Sequence, residues 1–156
     1  MWNEDYRDIL QSLSSQCVDF ILVGAYALAS HGYPRATMDI DIWVRAAPDN
    51  AERVCRALSE FGAPMDAVSI SDFSEEGVIF QIGVAPRRID IITRISGVDY
   101  LEASKTANSV EIDGLTIKIL SAEHLIRNKL ATGRPRDIDD AENLRRLLIN
   151  PEIENQ

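Results

Sequence analysis

Cysteine and histidine are scarce, with two of each in 156 residues. Neither Cys17 nor Cys55 belongs to a Cys-x-x-Cys pair or lies near a histidine at ligand spacing. This argues against a disulfide framework and against a thiolate–imidazole zinc site, and predicts two buried thiols in a reducing compartment. Long apolar runs are lacking too, so no segment reads as a membrane span. The opening residues MWNEDYRDIL are acidic and polar, unlike a secretory signal, and the expected location is the cytoplasm. Positive charge is also in short supply. Sixteen bases face 25 acids, a formal net charge of −9. That balance opposes a surface built throughout for nucleic acid or for an anionic membrane. It leaves room for a local basic site, because the charge is uneven. Residues 60–76 hold five acids and no base, whereas residues 118–146 hold seven bases and five acids. Thirteen of the bases are Arg and three are Lys, so planar, phosphate-matching donors dominate.

What is present is an ordinary globular composition, 46% hydrophobic and 26% charged. The length predicts one domain over residues 1–150 and a flexible tail at 151–156. Helical spacing predicts a helix over 4–15, and Val18 to Val23 is a β-branched and aromatic run expected to be a buried strand ending at Gly24. A short helix follows to Ser30, then a strand over Met38–Val44 and a helix over 49–60. Residues 63–76 read as irregular. Gly77–Val84 and Arg88–Arg94 read as a hairpin, 97–107 as a short helix or turn, and Asp113-Gly114 as the turn of a second hairpin. Two C-terminal helices are expected, from Ser121 to Leu130 or Thr132 and from about Asp137 to Leu148. Crossovers and hairpins together predict an α/β (α+β) fold with a mixed sheet flanked by helices.

The chemistry concentrates between Gly24 and Asp41. Side chains alternate along a strand, so Asp39 and Asp41 project from one face while Ile40 and Ile42 enter the core. Two carboxylates on one face of an otherwise apolar strand repel each other unless a cation compensates, and a hard divalent ion such as Mg²⁺ takes oxygen ligands. For an isolated Asp-x-Asp, a solvated strand face is the commoner explanation. A third carboxylate, Asp90, lies between Ile89 and Ile91. If its strand pairs beside that of Asp39 and Asp41, the three converge as a two-metal site. Gly24 ends a strand just before a helix, where free N–H groups can face an anion; a plain strand-to-helix turn would look the same.

These residues resemble the nucleotidyltransferase superfamily with the DNA polymerase β-like fold. Gly24-Ala25, Asp39-Ile40-Asp41 and a later Asp90 carry the likeness, and the run from His31 to Asp41 is its most specific part. Within the superfamily the chain is similar to small prokaryotic members related to AbiEii-type toxins and minimal nucleotidyltransferases, over roughly Val18 to Leu147. The stretch from Asn128 to Asp140 looks like that group's helical C-terminal motif. The resemblance implies transfer of a nucleoside monophosphate from an NTP to an acceptor hydroxyl, on RNA, a protein or a small molecule. Asp39, Asp41 and Asp90 would hold two Mg²⁺ ions, with Mn²⁺ as the alternative, and Asp90 would help activate the acceptor. Gly24 and Ala25 would hold the triphosphate, and Lys129 would neutralise phosphate charge. Ala25 departs from the usual Gly or Ser, keeping the backbone N–H but offering no hydroxyl.

Other residues have two readings each. Arg35 and Thr37 reach a phosphate or fix their loop. Asp137 bonds Lys129 or Arg35, or caps the last helix. His31 caps a helix end or is exposed rather than catalytic. Arg87 and Arg88 bind an acidic acceptor or lie solvated on a hairpin. Tyr26 stacks on a base or, more in keeping with a short apolar helix, packs, and Trp43 reads as core or partner surface. Two further functions compete with transfer: a non-catalytic, antitoxin-like or regulatory module on the same scaffold, and a metal-dependent phosphohydrolase. A toxin–antitoxin setting would add a small cognate partner protein. The oligomeric state is open.

Overall fold

The computed structural model describes residues 3–34, 39–84 and 87–150. Among these, the chain forms α1 (Glu4–Ser15), β1 (Phe20–Val23), α2 (Gly24–Ser30), β2 (Ile40–Val44), α3 (Pro48–Phe61), α4 (Ile70–Ser74), β3 (Ile79–Ile82), β4 (Ile89–Ile92), α5 (Tyr100–Thr106), β5 (Asn108–Ile112), β6 (Leu115–Ile119), α6 (Ala122–Thr132) and α7 (Pro135–Ile149), with a 3-10 turn at Met65–Ala67.

Local chemistry explains the boundaries. Asn3 Oδ1 accepts from the Tyr6 N–H at 2.9 Å and starts α1, whose Tyr6, Ile9, Leu10 and Leu13 are fully buried. Pro48 opens α3 at the position where its missing N–H costs nothing, and Gly62 closes it at φ 96°. Asp113 and Gly114, both at positive φ, form the tight turn between β5 and β6.

The six strands make one sheet in the order β3-β4-β2-β1-β6-β5. The two hairpins β3–β4 and β5–β6 lie at its ends, and β1 and β2 run antiparallel at its centre. Parallel pairings join the centre to each hairpin: β2 with β4 and β1 with β6. This is the mixed sheet flanked by helices that the pattern predicts. Ile40, Ile42 and Val44 are fully buried, as the alternation requires. On the other face Trp43 meets Tyr100 edge-to-face at 5.0 Å. Fully buried Asn50 ties three elements together. Its Oδ1 accepts from the Asp19 N–H at 2.8 Å, and its Nδ2 donates to the carbonyls of Asp19 and Arg45.

Several expectations are corrected. Residues 63–76 are not irregular: Ser69 and Asp72 form a capping box for α4, and Phe73 buries completely beneath it. The last helix begins at Pro135, two residues early, so Arg134 is its cap and Asp137 lies inside its first turn. The thiols are not buried, because Cys17 follows α1 in an exposed left-handed turn and Cys55 is half-buried; both are free. Trp43 belongs to the core. Arg35 and Thr37 lie outside the described residues, as do Met38 at the start of the second expected strand, Ala85-Pro86 in the hairpin turn and the 151–156 tail.

Candidate active site

Strand register builds the site. Asp41 of β2 pairs with Asp90 of β4 on one side and with Val23 of β1 on the other, and Asp90 in turn faces Gln81 of β3. One row thus crosses four strands as Gln81, Asp90, Asp41 and Val23. The next row on the same face, two residues along, is apolar: Ile79, Ile92, Trp43 and Ile21. Asp39 precedes β2 and accepts from the Arg88 N–H at 3.2 Å. The three carboxylates that alternation and family likeness single out therefore lie together, and Asp90 is buried inside the sheet because β3, not β4, is the edge.

Their electrostatics are strained. Burial, then the charge and hydrogen bonding of Asp90, then the charge of Asp39, push the Asp41 carboxyl up to about 6. Lys129 works in the opposite direction. Arg88 offsets one flank, with Nε 2.9 Å from Asp90 Oδ1 and Nη2 3.3 Å from Asp39 Oδ2. The two hairpin arginines thus differ. Arg88 is partly exposed but engaged by Asp90 and Asp39, so it is not free for an acidic acceptor, whereas Arg87 is exposed. Among the described residues, no three carboxylate, imidazole or thiol groups form a ready-made metal cage. The donor set nevertheless fits a hard divalent cation, because it is all oxygen and its repulsion is what such a cation would relieve.

Gly24 is required here for a reason the sequence did not show. Its φ is +68°, and a Cβ added there would collide with Asp41 Oδ2. The backbone that begins α2 is therefore packed directly on a candidate metal ligand. No side chain caps α2, so its first N–H groups have no side-chain acceptor. Ala25 lines the same cleft. His31 closes α2 and places Nε2 2.8 Å from the Leu120 carbonyl, a structural tie. Tyr26 packs edge-to-face on Tyr6.

The α6–α7 turn supplies the opposite wall. Lys129 Nζ lies 3.2 Å from Asp137 and 3.6 Å from Asp140. Asp137 also accepts from Thr132 Oγ1 at 2.7 Å and pairs with Arg134 at 2.8 Å. Burial tends to raise its carboxyl, but Thr132, Lys129 and Arg134 outweigh that and hold it below the usual range. Asp137 is thus the partner of Lys129 and not a helix cap.

Two lobes open on either side of this wall, each about 420 Å³. Gly24, Asp41, Lys129, Arg134 and Asp137 line both. The first adds Ala25, Asp39, Arg136 and Asp140. The second adds Asp90, Gln81, Arg94 and Asn128 over Ile79 and Ile92. Sequence reasoning missed Gln81 and Arg94 as lining residues, and within the Asn128–Asp140 motif it gave roles only to Lys129 and Asp137, whereas Asn128, Arg134, Arg136 and Asp140 line the cleft too.

Comparison with known proteins agrees with this architecture. A provisionally named nucleotidyltransferase from Thermotoga maritima superposes with a TM-score of 0.63 at 23% identity, covering 96% of both chains. The antibiotic-resistance factor ANT(2″)-Ia matches with a TM-score of 0.54 at 16% identity, covering 94% of this chain and 90% of its own. The same factor in complex with adenylyl-2″-tobramycin gives 0.58 at 16%, covering 92% and 87%. No curated protein matches the sequence significantly. The family model described as nucleotidyl transferase of unknown function (DUF2204) matches residues 2–155, and the chain belongs to that family.

Proposed function

We propose that the protein is a metal-dependent nucleotidyltransferase that moves a nucleoside monophosphate from an NTP to an acceptor hydroxyl. The observation that carries this reading is the in-register pair Asp41–Asp90 with Asp39 beside it and the Gly24 backbone against Asp41. Asp39, Asp41 and Asp90 would hold Mg²⁺, or Mn²⁺ in its place. The metal, when bound, supplies charge to the transferring phosphoryl group and a template for the leaving pyrophosphate. The Gly24 and Ala25 amides face the triphosphate from the first lobe, where Arg134 and Arg136 add positive charge. Lys129 is half-buried and held in place by Asp137 and Asp140, which orients its ammonium toward both lobes. In the transfer step the acceptor oxygen bonds to the α-phosphorus and the bond to the β-phosphate bridging oxygen breaks. Pyrophosphate carries away that electron pair, and the hydroxyl proton passes to Asp90. The adenylylated product seen with a structural neighbour is of this reaction class.

The test is label transfer from α-labelled NTPs with Mg²⁺, using cell lysate, total RNA and small hydroxyl compounds as acceptors. Label should move to one acceptor class and disappear in Asp41→Asn and Asp39→Asn. Calorimetry that finds neither nucleotide nor divalent-metal binding would sink the proposal in favour of a non-catalytic module. Inorganic phosphate released without label transfer would instead identify a hydrolase. A toxin–antitoxin setting predicts co-purification of a small partner protein encoded beside this gene.

A further inference from the structure

We infer that the second lobe receives an acceptor carrying negative charge, anchored by Arg94, and that it excludes polycationic acceptors. This rests on the nucleotidyl-transfer reading and names the substrate class of the same site. The lobe's reactive end is Asp90 and Asp41. Its far end follows β4 four residues beyond Asp90, where exposed Arg94 points into the cleft. Among the described residues no acid pairs with Arg94, whereas Arg88, Lys129 and Arg134 are all engaged with carboxylates. The other charged groups that line the lobe, Lys129, Arg134 and Asp137, pair with one another. Ile79 and Ile92 form a flat apolar floor, and Gln81, Ser96 and Asn128 offer neutral polar groups. Asn128 spends one N–H on the Ser96 carbonyl at 2.9 Å and keeps its amide oxygen free of other described partners.

A compound with several ammonium groups needs carboxylates along its binding wall. Here it would meet the unpaired Arg94 guanidinium, and the one acid outside the catalytic cluster, Asp137, is already engaged by Lys129 and Arg134, so like charge would reject it. A hydroxyl compound with a phosphate or carboxylate several atoms away matches both ends. Its hydroxyl lies at Asp90, its carbon skeleton on Ile79 and Ile92, and its acidic group on the Arg94 fork.

The experiment compares ribose, ribose 5-phosphate and tobramycin as binding probes by calorimetry, on protein preloaded with Mg²⁺ and a non-hydrolysable ATP analogue. Ribose 5-phosphate should bind at least about tenfold tighter than ribose, with tobramycin weakest. Arg94→Ala should abolish that preference and Arg94→Lys should restore part of it. Arg56→Ala, exposed on α3 and outside both lobes, should leave the preference intact. Equal binding of the two riboses, tighter binding of tobramycin, or loss of preference in Arg56→Ala but not in Arg94→Ala would overturn the inference. Failure of the ATP analogue to bind in the preloading titration would sink the transferase reading separately, because the anion preference can still be measured on the protein alone.

Discussion

Asp41 carries the tension of this molecule at the scale of one residue. A carboxyl pushed up to about 6 by burial and by Asp90 is a group whose ionised form the fold disfavours. Asparagine has the same shape without the charge. Asp41→Asn should therefore abolish transfer while raising stability in metal-free buffer, on the order of 1–2 kcal/mol. Thermal unfolding in EDTA checks this, and a lower midpoint than the parent would contradict the account. Gly24 has the opposite profile. Gly24→Ala must hold a Cβ at φ +68° and move the Asp41 carboxylate out of its way. It should lose transfer and also about 1–2 kcal/mol or more of stability in urea unfolding. The three aspartates were legible in the sequence because period-two alternation and hydrophobic flanks mark each one. Gln81 and Arg94 were not legible. Their place depends on which strand β4 pairs with, and each looks like an ordinary exposed hairpin residue.

Elements become legible when their signals are local. The Asp113-Gly114 turn, the Ser121 cap and the apolar stripe of α1 were all read directly, since each depends on residues within one or two turns. The short α4 was missed because five residues carry too little periodicity, although Ser69 and Asp72 were its signal. Interactions between elements rest on less visible groups. Replacing Asn50 with Leu leaves the Asp19 N–H and the Asp19 and Arg45 carbonyls without partners, and should cost about 3 kcal/mol. Chemical denaturation measures it, and a loss below about 1 kcal/mol would show that water replaces the amide. Nearby, Arg45 joins Asp19 at the head of β1 to Asp49 in the first turn of α3, each at 2.9 Å. The hydrogen bond from Arg45 holds the Asp49 carboxyl down at about 2. A depressed carboxyl stabilises the fold above its ordinary value and loses that effect as pH falls. The stability difference between the parent and Arg45→Gln should thus be full above about pH 4 and shrink toward pH 2. An unchanged difference across that window would place the stabilisation elsewhere.

For the whole molecule, the −9 charge has a local answer. Two of its acids share one row of the sheet with a third beside them, and the arginine-rich α6–α7 segment faces them across the two lobes. The fold class was legible because strands and helices alternate with clear turn signals. The strand order was not, since no local residue announces that β2 will lie beside β4. That parallel pairing also sets a sequence of events in time. Asp41 and Asp90 are about 50 residues apart, and parallel partners separated by a long connection are slow to meet. The central antiparallel pair and the two hairpins can form while the carboxylates are still far apart. Repulsion between Asp41 and Asp90 is then expected to enter late, as the β3–β4 hairpin docks beside β2. Asp41→Asn should accordingly leave the folding rate nearly unchanged and slow unfolding several-fold, a low-φ signature on a chevron plot. A metal ion that binds the carboxylates would act on the same step, so the loaded protein should be held folded chiefly by a slower rate of opening.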